Sequence, residues 1–140
     1  MALTTEQLID IAHAHAQAEA EDDFETTMAT LEDDPVYELQ PMGVAFRGRD
    51  AAKVYYDHFF ANVKPIIAGY DLRGEWANDQ GVAQEYVIHF RLADGTEESH
   101  PVMSILTFGK TALSGERLYA SERLLHLLLG PALDLAQPIA

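Results

Sequence analysis

The chain has 140 residues, 48% of them hydrophobic, no cysteine, and a formal net charge of −14 from 23 acidic against 9 Lys and Arg residues. That apolar share is too high for a disordered chain and suits one domain spanning residues 1–140. Disulfides, thiolate nucleophiles and cysteine-ligated metals are excluded, and the acidity repels phosphate backbones, so no nucleic-acid partner is expected.

No apolar run reaches the roughly 18–20 residues of a membrane span. The N-terminus "MALTTEQLIDIAHAHA" carries neither a basic region nor an apolar signal core. A cytoplasmic protein without a membrane partner is therefore expected.

In chain order, Thr4 and Gln7 have the spacing of a capping box, and Leu8, Ile11, Ala12, His15 and Ala18 recur at helical spacing, which predicts a helix to about Ala20. Asp22 or Asp23 caps a second helix that buries Phe24, Met28 and Leu31. "DDP" at 33–35 is expected to stop it. Val36–Gln40 and Val44–Arg47 read as short strands around "QPMG". Asp50 is expected to cap a third helix with Ala52, Tyr55, Tyr56, Phe59, Phe60 and Val63 on its apolar stripe.

Beyond Pro65 the pattern changes. Residues 66–77, 81–93, 100–110 and 117–129 have strand-like composition, separated by the turn sequences "NDQG", "DGTEES" and "KTALSGE". In the second of these runs Tyr86, Ile88, Phe90 and Leu92 alternate with Glu85, Val87, His89 and Arg91, which assigns the two sets to opposite faces. Helices first and an antiparallel meander second argue an α+β domain.

This order of elements resembles the nuclear transport factor 2-like superfamily, which includes ketosteroid isomerases and SnoaL-like polyketide cyclases. The resemblance rests on "DDFETTMATLEDDPVYEL", "FRGRDAAKVYYDHF" and "LSGERLYASERLL" and spans about residues 5–128. It implies a cone-shaped domain of three N-terminal helices on a curved, mostly antiparallel sheet of about six strands. It also implies a pocket between the two layers, a hydrophobic small molecule as partner, and a homodimer formed through the sheet. The isomerase positions have changed. The general-base aspartate falls on Leu39 or Gln40, the helix 1 tyrosine on His15, and the second oxyanion donor on Ser104.

Seven residues are candidates for function. His15 lies on the apolar stripe of the first helix, where burial would favour neutral imidazole, an acid/base group or alternatively a core histidine bonded to a carbonyl. His89 lies mid-strand and is a second acid/base candidate, with a carboxylate such as Glu122 as partner, or else a surface or interface histidine. Gln40 and Ser104 could hold a ligand oxygen. Tyr55, Tyr56 and Trp76 could wall a pocket or simply pack. His13 and His15 point about 200° apart on a helix, and no HExxH motif or phosphate loop occurs, so neither metal nor cofactor is expected. The resulting expectation is a small cofactor-independent isomerase, dehydratase or cyclase acting on a hydrophobic, cyclic carbonyl compound. The alternative is a non-catalytic binding or dimerisation module.

Overall fold

The computed structural model describes residues 2–139. Helix α1 spans Thr5–Ala20, and its capping box is present. The Gln7 N–H donates to Thr4 Oγ1 at 3.2 Å, and the Thr4 N–H donates to Gln7 Oε1 at 2.9 Å. Helix α2 is Phe24–Ala29, capped by Asp23, whose carboxylate accepts from the Thr26 N–H at 3.1 Å.

The expected stop at "DDP" does not act as one. Strand β1 begins at Leu31 and runs through Asp33, Asp34 and Pro35 to Gln40. Leu31 pairs with Leu113, and a register shift between Leu31 and Val36 accommodates the proline, which has no N–H for a ladder. Long-range pairing here outweighs a local stop signal.

Strand β2, Val44–Arg47, turns back antiparallel to β1. Helix α3 is Arg49–His58. Gly48, not Asp50, is its N-cap, at φ +94°, a conformation that glycine adopts without strain. The Arg49 guanidinium donates to the carbonyls of Met28, Leu31 and Glu32 at 3.0, 3.1 and 3.3 Å, which ties the start of α3 to the α2–β1 corner. A π-helical turn, Phe59–Val63, and a 3-10 turn, Lys64–Ile66, lead into the sheet.

Strands β3 (Ile67–Asn78), β4 (Gly81–Arg91), β5 (Glu97–Phe108) and β6 (Leu113–Tyr119) follow. The segment 117–129 departs from expectation: it is the end of β6 and then helix α4, Glu122–Leu129. Ser121 caps α4, its hydroxyl accepting from the Leu124 N–H at 3.1 Å. Leu124, Leu125, Leu128 and Leu129 form the buried stripe, a helical spacing hidden in a run of leucines. β6 starts earlier than its turn-like sequence suggests, because the Glu32 carboxylate accepts the N–H groups of Lys110 and Thr111, each at 2.9 Å, and holds the preceding loop.

The sheet order is β3-β4-β5-β6-β1-β2-β7, with β7 the pair Gln137–Pro138. Among the described residues only the β1–β6 pairing is parallel. The α+β class and the mostly antiparallel sheet agree with the sequence reading, with seven strands in place of about six. Ile88 and Phe90 are buried as the alternation in β4 requires. Around α3, Tyr37 stacks on Phe46 at 4.9 Å, and Tyr55 and Tyr56 pack at 4.6 Å. Among the described residues no helix is long and apolar enough to cross a membrane.

Candidate active site

α1 lies across the inner face of the sheet and encloses with it a cavity of about 430 Å³. Apolar walls come from Phe59, Ile88, Leu106, Leu118 and Leu128, and polar groups from His15, Glu19, Ser104, Glu116, Tyr55 and Tyr86. Tyr70 and Leu72 on β3 are 52% and 62% exposed and stand at the mouth.

His15 is 1% exposed on the buried stripe of α1. Its Nδ1 is 2.7 Å from Thr30 Oγ1. The Thr30 hydroxyl spends its single proton on the Thr27 carbonyl at 2.6 Å, so Nδ1 must carry a proton and donate. Nε2 lies 3.1 Å from the Tyr56 hydroxyl and 3.5 Å from Glu19 Oε1. Tyr56 in turn is 2.7 Å from the Tyr37 hydroxyl. Burial alone would depress the imidazole pKa, as expected from the sequence. The charge and hydrogen bond of Glu19, with the charge of Glu116 added, outweigh it and raise the pKa above its usual value.

Glu116 comes from β6, opposite Tyr37 in the parallel β1–β6 ladder and Leu106 in the β5 ladder. Gly115 beside it has φ +143°, and a Cβ there would collide with the Val36 carbonyl, so glycine lets β6 close against β1 at this point. Glu116 is 7% exposed. Ser104 Oγ donates to its Oε2 at 2.6 Å. Oε1 makes no hydrogen bond within the described protein, yet no fully buried side-chain oxygen is left without a partner, so Oε1 reaches the open cavity. Burial first, then the Glu19 charge, pushes the pKa up to about 7, against the opposing pull of the Ser104 hydrogen bond and His15. The result is a carboxyl able to give or take a proton at neutral pH.

By the same reasoning the hydroxyls of Tyr55 and Tyr86 open into the cavity. Burial, followed by the charges of Glu116 and Glu19, holds both phenols well above their usual pKa, so both remain donors. Lys64 also lines the site, but its ammonium donates to the carbonyls of Glu19 and Ala20 at 2.9 and 2.7 Å and pairs with Asp22 at 3.1 Å. Its charge therefore serves the C-terminus of α1.

Of the seven residues singled out from the sequence, His15, Tyr55 and Ser104 meet in the cavity. Tyr56 sits behind His15, fully buried and bonded to it, and does not form the wall. Gln40 ends β1 outside the cavity lining, with its carbonyl accepting from the Ala120 N–H at 3.0 Å. His89 and Trp76 lie on the opposite face of the sheet. His89 bridges Ser99 and Asp71, each at 2.7 Å, so its carboxylate partner is Asp71; Glu122 is in α4. Trp76 is 56% exposed and lies over Gly74. Strand alternation explains both cases, since Ile88 takes the inward position next to His89, and Glu75 pairs inward with Gln84 next to Trp76. Glu19, Tyr86 and Glu116 were not singled out from the sequence as site residues. The available signals were the His15–Glu19 spacing of four on α1 and the inward alternation of Glu116 with Leu118. Among the described residues no group of three or more His, Asp and Glu side chains could hold a metal ion.

The SnoaL-like domain family matches residues 12–112. An NTF2-like protein of unknown function from Cytophaga hutchinsonii superposes with a TM-score of 0.66 at 14% identity, covering 81% of this chain and 99% of that one. A candidate polyketide cyclase from Xanthomonas campestris pv. campestris gives 0.65 at 17% identity, covering 90% and 98%. A protein with a ketosteroid isomerase-like fold from Catenulispora acidiphila, solved in complex with trimethylamine, gives 0.61 at 17% identity, covering 87% and 94%. At these identities the likeness shows the fold alone. No curated protein matches the chain.

Proposed function

The chain belongs to the SnoaL-like domain family, and we propose that its cavity binds a hydrophobic, cyclic, carbonyl-bearing molecule and moves a proton next to the carbonyl. The reaction class is that of an isomerase, a dehydratase or an aldol-type cyclase. One observation carries this reading: a carboxyl buried in an apolar cavity, with one oxygen held by Ser104, the other facing the open space, and a pKa near neutrality.

In the proposed step Glu116 Oε1 takes the proton from carbon. The C–H electron pair moves into the enolate, whose oxygen is held by the hydroxyls of Tyr55 and Tyr86. Return of the proton from Glu116 to another carbon gives isomerisation, its delivery to a departing β-hydroxyl gives dehydration with water leaving, and enolate attack on a second carbonyl, with the proton passing to the new alkoxide, gives cyclisation. Ser104 orients the base, and the His15–Glu19 pair tunes its charge. His89, Gln40 and Trp76 have no part in the reaction. The same reading places a second copy of the chain against the outer sheet face, where Trp76 and Tyr119 are 56% and 44% exposed. Sedimentation tests it: a dimer that Trp76→Glu dissociates supports it, and a monomeric wild type refutes it.

The chemical test is α-proton exchange in D2O, followed by NMR, over a panel of cyclic ketones and β-hydroxy ketones. Glu116→Gln is expected to slow exchange by about 100-fold or more. Equal exchange in the variant, or none in the wild type, rejects the reaction. The non-catalytic alternative is favoured by one feature: both ring nitrogens of His15 are already engaged by protein groups. It predicts binding of the same molecules with no exchange.

A further inference from the structure

The cavity has an imbalance of charge that a neutral carbonyl compound does not use. Two carboxylates face it: Glu116, with its free oxygen, and Glu19, 26% exposed near the mouth. The basic groups that could neutralise them are committed elsewhere. The Lys64 ammonium is bound to the end of α1 and to Asp22. Arg49 donates to three backbone carbonyls. His15 is bracketed by Glu19 and can offset one carboxylate at most. Among the described residues no other lysine or arginine lines the space.

Aromatic rings supply the second half of the pattern. Tyr55, Phe59, Tyr70 and Tyr86 all line the cavity, and Tyr70 meets Tyr86 edge to face at 5.8 Å by the entrance. Ring faces carry partial negative charge and attract cations, most strongly where water is excluded. A desolvated carboxylate oxygen without a protein partner adds to that attraction.

We propose that this cavity selects organic cations, a protonated or quaternary amine on a small apolar body, with the nitrogen between Glu116 and the rings of Tyr70 and Tyr86. The inference rests on the cavity being a ligand site and is independent of the proposed reaction. It predicts pH dependence as well. Glu116 is faced by His15 and Glu19 from α1, Ser104 from β5, Tyr86 from β4, Tyr55 from α3 and Tyr37 from β1. Falling pH neutralises Glu116 and adds charge to His15, and both changes weaken attraction for a cation.

The test pairs phenyltrimethylammonium with tert-butylbenzene, its neutral carbon isostere, in titrations of the intact protein. At about pH 8 the cation is expected to bind about tenfold more tightly than the isostere. Near pH 5.5, and in Glu116→Gln, that preference should fall towards parity while the isostere still binds, which also reports an intact cavity. Tyr70→Leu, at the exposed lip, should weaken the cation about threefold and leave the isostere unchanged. Equal binding of the two probes at pH 8, binding of neither, or a preference that survives Glu116→Gln overturns the inference. Ketone exchange without cation preference refutes this inference alone. Cation preference without any exchange refutes the proposed reaction alone.

Discussion

Replacing Glu116 by Gln should make the protein more stable at pH 8, even though it removes a buried hydrogen-bonded group. The carboxyl has a pKa of about 7 in the folded chain, against an ordinary value of 4.5. Within that window the folded state holds more protons than the unfolded state, so stability falls as pH rises. The fall starts above about pH 4.5 and levels off beyond about pH 7. Two and a half units at about 1.4 kcal/mol each amount to roughly 3–4 kcal/mol lost across the whole window. The raised pKa of His15 acts with the same sign, because its stabilising charge also disappears with rising pH. The lowered carboxyls of Glu32, Asp23 and Glu98 are already ionised across this range and leave the slope unchanged. Urea denaturation of wild type and Glu116→Gln at about pH 5 and pH 8 measures the difference. Wild type should lose roughly 2–3 kcal/mol more than the variant over that interval, since part of the loss already lies below about pH 5. Parallel profiles for the two proteins would refute the reasoning, since they would mean that Glu116 titrates alike folded and unfolded.

Ser104→Ala removes the 2.6 Å hydrogen bond that favours the ionised carboxyl, and should move the midpoint of that pH profile up by about one unit. An unmoved midpoint would show that Ser104 does not hold the charge. Ser121→Ala deletes the N-cap of α4 and should cost about 1 kcal/mol in the same denaturation assay, with no change in the pH midpoint. His89→Ala, on the outer face of the sheet, should leave α-proton exchange unchanged; a loss of about tenfold or more would return this histidine to the mechanism.

The parts legible in the sequence were those written in local spacing. The α1 capping box needs only Thr4 and Gln7, and the alternation of β4 needs only neighbouring residues. Helix α4 was hidden because "LLHLLL" satisfies a buried strand and a buried helix equally, and the Ser121 cap was the deciding signal. β1 begins ahead of "DDP", the expected stop of α2, because Leu31 finds Leu113, a partner 82 residues further on. Of the site, His15 was readable as an inward residue of a helix stripe, and Ser104 through the family resemblance. Glu116 was not, because "KTALSGE" reads as turn until Glu32 anchors the loop and brings β6 forward. The protonation of His15 was misjudged for a related reason. Burial is visible locally, whereas the opposing charges come from Glu19, one turn on, and Glu116, from a distant strand.

The proposed proton transfer requires Glu116 to titrate near neutrality inside the cavity. Carbon-13 NMR of the labelled glutamate carboxyls, with Glu116→Gln to assign the signal, reads this without a substrate. A midpoint near 7 for the signal lost in the variant is the predicted result. A midpoint within the ordinary carboxylate range, below about 5, would contradict it.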